Sequence, residues 1–170
     1  MGKYIACICE GGAESAILEL LLDNHKLIFE REDLIEEELL RCRKGRDFEE
    51  RYLKKSFAGK ITVYRILDSR RENFKLSKAY KNKVDVINVV TAPEIEMFII
   101  LNERQYAEFK KSGMKPSEFC KIKLRYKNIK NYEFVKAYFT DIDNLIAAIH
   151  EYRRISKVHS DEQTFLDLLR

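Results

Sequence analysis

A chain of 170 residues with 45% hydrophobic and 35% charged residues carries enough apolar material for one sizeable core, and its two prolines, six glycines and lack of low-complexity sequence exclude a disordered chain. Its longest apolar runs are too short to cross a bilayer, and it opens directly on a strand pattern with no leader-like segment, which predicts a cytoplasmic protein with no membrane partner. The net charge of +4 is unevenly spread: residues 1–40 hold three Lys/Arg against ten Asp/Glu (net −7), residues 41–136 hold 25 against 12 (net +13), and residues 137–170 hold 4 against 6 (net −2), so the basic middle meets either a polyanion or the chain's own acidic ends.

Tyr4–Cys9 is apolar throughout and reads as a strand covered on both faces of a parallel sheet. Ala13–Asn24 follows as a helix, with Ile17, Leu18, Leu21 and Leu22 on one stripe. Leu27–Phe29 suits a short extended piece. Residues 30–46 fit either an acidic helix or a second strand at Glu38–Cys42. Asp47–Phe57 reads as a helix with Phe48, Tyr52, Leu53 and Phe57 inward, ended by Gly59. Lys60–Leu67 is the clearest strand, rich in β-branched and aromatic residues. A short helix is expected around Asn73–Tyr80, then a strand at Val84–Val90. Pro93 then opens a helix running through residues 94–111, at a position proline tolerates. From Ser112 the pattern is helical only: Pro116 to about Arg125, Tyr132–Phe139, a long helix capped by Asp141 or Asp143 and reaching about Lys157, and a last helix, Glu162–Leu169, capped by Asp161.

Strands alternating with helices predict an α/β fold with a mostly parallel sheet of about four strands flanked by helices, followed by a helical C-terminal third. We expect a single domain over residues 1–170, with an α/β core at 1–111 and a helical extension at 112–170 packed on it. Cys7, Cys9, Cys42 and Cys120 have no zinc-finger spacing and read as reduced, mostly buried thiols. His25, His150 and His159 are scattered and suggest surface or capping positions rather than catalysis.

Three apolar strands end in acidic or acid-flanked turns. The first gives Glu10 and Glu14, the second Asp68 with Glu72 beyond it, and the third leads to Glu94 and Glu96. The carboxyl ends of parallel strands share one sheet edge, where ligands of open α/β sheets bind. Carboxylates gathered there repel one another unless a cation neutralises them, and oxygen ligands without histidine suit Mg²⁺ or Mn²⁺. Arg70 and Arg71 beside Asp68 have the chemistry to hold a phosphate. The alternative is structural: Glu94 and Glu96 as first-turn helix acids, and the arginines as partners in an ion network. Lys121, Lys123, Arg125, Lys127 and Lys130, interleaved with Tyr126 and Tyr132, form either a nucleic-acid backbone surface or an ordinary solvated face.

The pattern ICEGGAE (Ile8–Glu14), RILDSRREN (Arg65–Asn73), TAPEIEMFIIL (Thr91–Leu101) and RYKNIKNYEF (Arg125–Phe134) resembles the Toprim superfamily. Within it the chain looks most like the small Toprim-like proteins of bacterial defence systems, the RloB group and the nuclease domains of OLD-type proteins. The resemblance covers most of residues 4–140. It implies a Toprim-like fold and Mg²⁺-dependent phosphoryl chemistry in phage defence, with Glu10 and Asp68 as catalytic carboxylates. Glu10, Asp68, Glu14, Glu72 and Glu96 would be the metal ligands, and Arg70, Arg71, Lys121, Lys123, Arg125 and Lys127 the nucleic-acid contacts. One departure stands out: the second acid of the family's Asp-x-Asp pair is Arg70 here, and a guanidinium in a ligand position weakens a metal site. Two functions therefore compete. The first is a metal-dependent nuclease or phosphotransfer protein acting on nucleic acid, and the second a degenerate Toprim-like module that binds nucleic acid or a partner protein without cleavage. A nucleotide-binding protein is a third reading, but the Glu10-Gly-Gly turn lacks the lysine of a phosphate-binding loop.

Overall fold

The computed structural model of the chain describes residues 4–69, 73–91 and 95–170. Arg70, Arg71, Glu72, Glu94 and the helix opening expected at Pro93 lie outside the described residues. Three parallel strands, β1 (Tyr4–Cys9), β2 (Ile61–Leu67) and β3 (Val84–Val90), form an open sheet in the order β1-β2-β3. Cys9 pairs with Ile66, and Ile66 with Val89, so the three strands end at one level. Thr91 reinforces this: its N–H and its buried hydroxyl both donate to the Leu67 carbonyl, at 2.9 and 3.0 Å.

β1 and β2 are covered on both faces, which is why they read as apolar runs rather than as alternating ones, while β3 at the edge leaves Asp85, Val86 and Asn88 exposed. On one face Ile5, Cys7, Cys9, Tyr64, Ile66 and Val89 pack under α1 (Gly12–Asp23), α3 (Met97–Asn102), α5 (Pro116–Ile122), α6 (Tyr132–Tyr138) and α7 (Ile142–Ile155). On the other, Ala6, Ile8, Ile61, Val63 and Val84 meet α2 (Gly45–Tyr52) through Phe48, together with Phe57, Phe74 and Leu76. The first cluster runs from Ile5 to Leu168, so the helical tail shares the core of the sheet. All four cysteines are free and buried. No described helix is long and apolar enough to cross a membrane.

Among the described residues the sheet has three strands, not about four. The Glu38–Cys42 alternative shrinks to single bridges, Ile5 with Leu34 and Ile8 with Leu40. Between them Glu36 and Glu37 adopt left-handed φ values of 59° and 56°, which breaks the extended chain into two 3₁₀ turns, Arg31–Asp33 and Ile35–Glu37. These bridges still cover the outer edge of β1. The edge of β3 is covered likewise by Gln163, whose carbonyl accepts from Val90 N–H at 2.7 Å.

Other expectations need correction. Residues 73–80 form no helix but an irregular segment and turns, held by packing of Phe74 and Leu76 on the second core cluster. The single helix expected over 94–111 is two: α3, then α4 (Tyr106–Ser112), separated where Arg104 takes a left-handed φ of 56°. The last helix is only a 3₁₀ turn, Phe165–Leu168, capped by Thr164 rather than Asp161, with Asp167 accepting from the Thr164 N–H at 2.7 Å. Asp141, not Asp143, caps α7, accepting from Asp143 N–H at 2.9 Å.

Phe98 on α3 binds the tail to the core, with Tyr152 and Phe165 edge-on to its ring at 5.3 and 5.9 Å between centroids. Phe98→Ala is expected to cost about 3–5 kcal/mol, as other buried Phe truncations do. Urea unfolding of the two proteins measures it, and a loss under about 1 kcal/mol would show that the tail packs independently of the sheet.

Candidate functional site

The even strand ends create a cavity of about 190 Å³ lined by Gly11, Ala13, Glu14, Asp68, Ile95, Glu96 and Lys130. Each element delivers one charge. Glu14 lies in the first turn of α1 and is buried, Asp68 follows β2 and is exposed, and Glu96 precedes α3 with no exposed surface. The fixed charge opposite them comes from Lys130, on the loop between α5 and α6, whose Nζ lies 3.3 Å from Glu96 Oε1.

The two glycines of the Glu-Gly-Gly turn have separate jobs. A Cβ on Gly11 would stand 2.0 Å from Glu14 Oε2, so the absence of a side chain leaves room for the Glu14 carboxylate. A Cβ on Gly12 would lie 3.1 Å from Tyr132 N and 3.4 Å from Lys130 O, so this glycine lets the Lys130 loop press against the start of α1. Within that loop Asn128 takes a left-handed φ of 58°, Ile129 is buried, and the Asn131 side chain caps α6 by accepting from Glu133 N–H at 2.8 Å.

The Glu14 carboxyl is pushed above the usual carboxylate range. Burial is the main cause and its own backbone N–H opposes it; Asp68 and Glu96 raise it further, while Lys130 pulls it down. These effects place Asp68, Glu96 and Lys130 within electrostatic reach of Glu14.

Behind Lys130 opens a second cavity of about 530 Å³, lined by Glu96, Ser117, Lys121, Tyr126, Lys127, Asn128, Ile129 and Lys130. It shares Glu96 and Lys130 with the first. An acidic cavity thus adjoins a groove carrying three lysines. Tyr126 is chiefly an anchor for this wall: its hydroxyl donates to Glu103 at 2.8 Å, as does that of Tyr138 at 2.7 Å, and its ring packs on Phe134 and Tyr138.

Of the residues singled out in the sequence, Glu14, Asp68 and Glu96 come together in one cavity, and Lys121 and Lys127 in the adjoining groove. Glu10 directly follows β1, half-buried, and is not in either wall. Lys123 and Arg125 are exposed and stand outside the groove lining. Arg70, Arg71 and Glu72 lie outside the described residues. The partnership of Lys130 with Glu96 is not legible in the sequence, since nothing in the spacing of the two connects them; the tight second glycine is its one trace there.

The carboxylates have the oxygen chemistry that Mg²⁺ or Mn²⁺ prefers. Among the described residues, however, no group of three or more His, Cys, Asp or Glu side chains is gathered closely enough to hold a metal ion, and an ammonium stands against Glu96. As arranged, the described residues do not fit a resident divalent ion. Comparison of the chain with known protein families, curated proteins and solved structures finds no match.

A carboxyl whose pKa is raised in the folded state favours folding below its unfolded pKa, and that contribution is lost as pH rises through the folded value. Glu14→Gln should therefore melt higher than the wild type near neutral pH. The gain should shrink as pH falls through the folded value and be gone below about 4.3, where folded and unfolded chains both hold the proton. Paired thermal melts across pH check this, and a gain that is the same at pH 4 and pH 7.5 would rule out a buried, proton-hungry Glu14.

Proposed function

We propose that this chain is a Toprim-like protein acting on nucleic acid, and that it grips the phosphodiester backbone in the lysine groove beside the strand-end cavity. One observation carries this reading: the basic groove and the acidic cavity adjoin and share Lys130 and Glu96. Lys121, Lys127 and Lys130 supply three positive charges on one wall, and lysines that neutralise backbone phosphates release counterions and so supply sequence-independent nucleic-acid affinity. Ser117 and Asn128 add neutral polar groups, and Ile129 an apolar floor. In this reading Arg70, Arg71, Lys123 and Arg125 are further cations of the same basic middle of the sequence and would add contacts to nucleic acid.

A second reading, metal-dependent cleavage of nucleic acid in phage defence, is favoured by Glu14. A buried carboxyl with raised proton affinity, facing a cavity, is the kind of group that serves as a general acid or base. On the resemblance, Glu10 and Asp68 would be the catalytic carboxylates of that enzyme, and for Glu14, Glu72 and Glu96 to serve as further ligands of Mg²⁺ or Mn²⁺ the ion would have to draw Glu96 away from Lys130.

Fluorescence anisotropy with labelled single- and double-stranded DNA and RNA tests the binding reading. Affinity is expected to fall steeply with salt, and Lys121→Ala and Lys127→Ala should each lower the salt slope by about one while leaving the fold intact. Absence of binding even at low salt would remove the proposal. The same oligonucleotides incubated with Mg²⁺ or Mn²⁺ decide the second reading. Cleavage that disappears in both Glu14→Gln and Asp68→Asn would establish it, and an intact substrate under every divalent ion would dismiss it.

A further inference from the structure

What balances the carboxylates of the strand-end cavity is a question of charge and of reach. Glu96 has no exposed side-chain surface, and a buried carboxylate is stable only against a compensating positive group. Lys130 supplies one at 3.3 Å, and its charge acts on Glu14 as well. Its own side chain is 60% exposed, so it spans from bulk water to a buried acid. The backbone beneath it is fixed by the close approach of Gly12, by the buried Ile129 and by the Asn131 cap of α6. A loop anchored at these three points delivers the ammonium to the strand ends.

Lys130 already sets an ammonium 3.3 Å from Glu96 Oε1. A divalent ion drawing on the same carboxylate would sit within a few ångströms of that ammonium and be repelled by it, so the pair disfavours a resident divalent ion. We propose that Lys130 is the resident cation of this cavity, and that the groove behind it binds phosphodiester backbone with no divalent ion. The proposal rests on the nucleic-acid-binding reading and specifies its ion requirement. Lys130 is a positioning residue here. It holds Glu96 and the start of α3 at the strand ends, and at the same time closes the inner end of the groove with positive charge.

The test uses the full chain, with Mn²⁺ as the probe ion. Wild-type protein should melt at the same temperature in EDTA and in millimolar Mn²⁺, and should bind a labelled oligonucleotide equally well in EDTA and in Mg²⁺. Lys130→Met should lower the melting temperature by a few degrees, Lys130→Arg should restore it, and Mn²⁺ should raise the melting temperature of Lys130→Met alone. A rise in wild-type melting temperature with Mn²⁺ that Asp68→Asn or Glu14→Gln removes would overturn the proposal. So would a Lys130→Met protein that melts like the wild type. If Lys130→Met fails to fold, the wild-type Mn²⁺ response still decides. An oligonucleotide that binds under no condition would defeat the nucleic-acid reading instead, and the melting experiments would continue to judge Lys130 on its own.

Discussion

The arrangement depends on one buried charge. Glu96, fully enclosed at the strand ends, requires a positive partner, and Lys130 has to be brought to it from a loop more than thirty residues further along the chain. Much of the surrounding structure meets that requirement. Gly12 lets the loop approach α1, Ile129 and the Asn131 cap hold the loop down, and Tyr126 and Tyr138 brace it from behind on Glu103. The Glu96 carbonyl meanwhile accepts from Ile99 and Ile100 N–H and from the Cys120 thiol, so the same residue starts α3 and ties it to α5. A charge pair, a helix start and a loop are coupled at a single position, which makes this corner of the molecule stiff.

The sheet is the most legible element of the sequence, for a definite reason. Tyr4–Cys9 and Val84–Val90 are strands with the bounds read from their composition, and β2 starts one residue later than expected. β1 and β2, covered on both faces, are apolar at nearly every position, so their ends are marked by the first charged or turn-forming residue, whereas β3, exposed at Asp85, Val86 and Asn88, shows itself by its valine content. What stays hidden are breaks made by backbone conformation without a glycine or proline to announce them. Arg104, at φ 56°, splits one continuous helical pattern into α3 and α4, and Glu36 and Glu37 stop a fourth strand in the same way. Left-handed angles carry a modest energetic cost for non-glycine residues, and no glycine or proline in the sequence announces them here.

The acidic character of the strand ends is equally legible, but not which acid turns inward. Glu10 is the more central in sequence because it ends the strand. Side chains alternate along an extended chain and then follow a helical course, so one turn later Glu14 faces the cavity, over a glycine that leaves space for it. The basic side of the site reads in sequence as a run of five cations on one segment, Lys121 to Lys130. Folding divides them: α5 ends at Ile122, Arg125 and Asn128 take left-handed φ values, and only Lys121, Lys127 and Lys130 face the groove. No linear pattern encodes that division, because it is fixed by the turns between the lysines.

The uneven charge of the sequence also acquires a spatial meaning. In a parallel sheet all strands begin at one end and finish at the other. The acidic run Glu32, Asp33, Glu36 and Glu37 lines a cavity with Tyr4 and Phe57, at the end where β1 begins. The lysine groove lies at the opposite end, where β1 and β2 finish. Lys55, paired with Glu36 at 2.7 Å, and Lys60, paired with Asp85 at 2.6 Å, temper the acidity of that first end. Within about a Debye length the lysine wall at the finish draws a polyanion toward it. Of the carboxylates at that second end, three, Glu14, Asp68 and Glu96, line the cavity and would spoil the attraction if all faced outward. Two of them, Glu14 and Glu96, are buried, and Lys130 offsets them, so an approaching phosphate meets the lysines first.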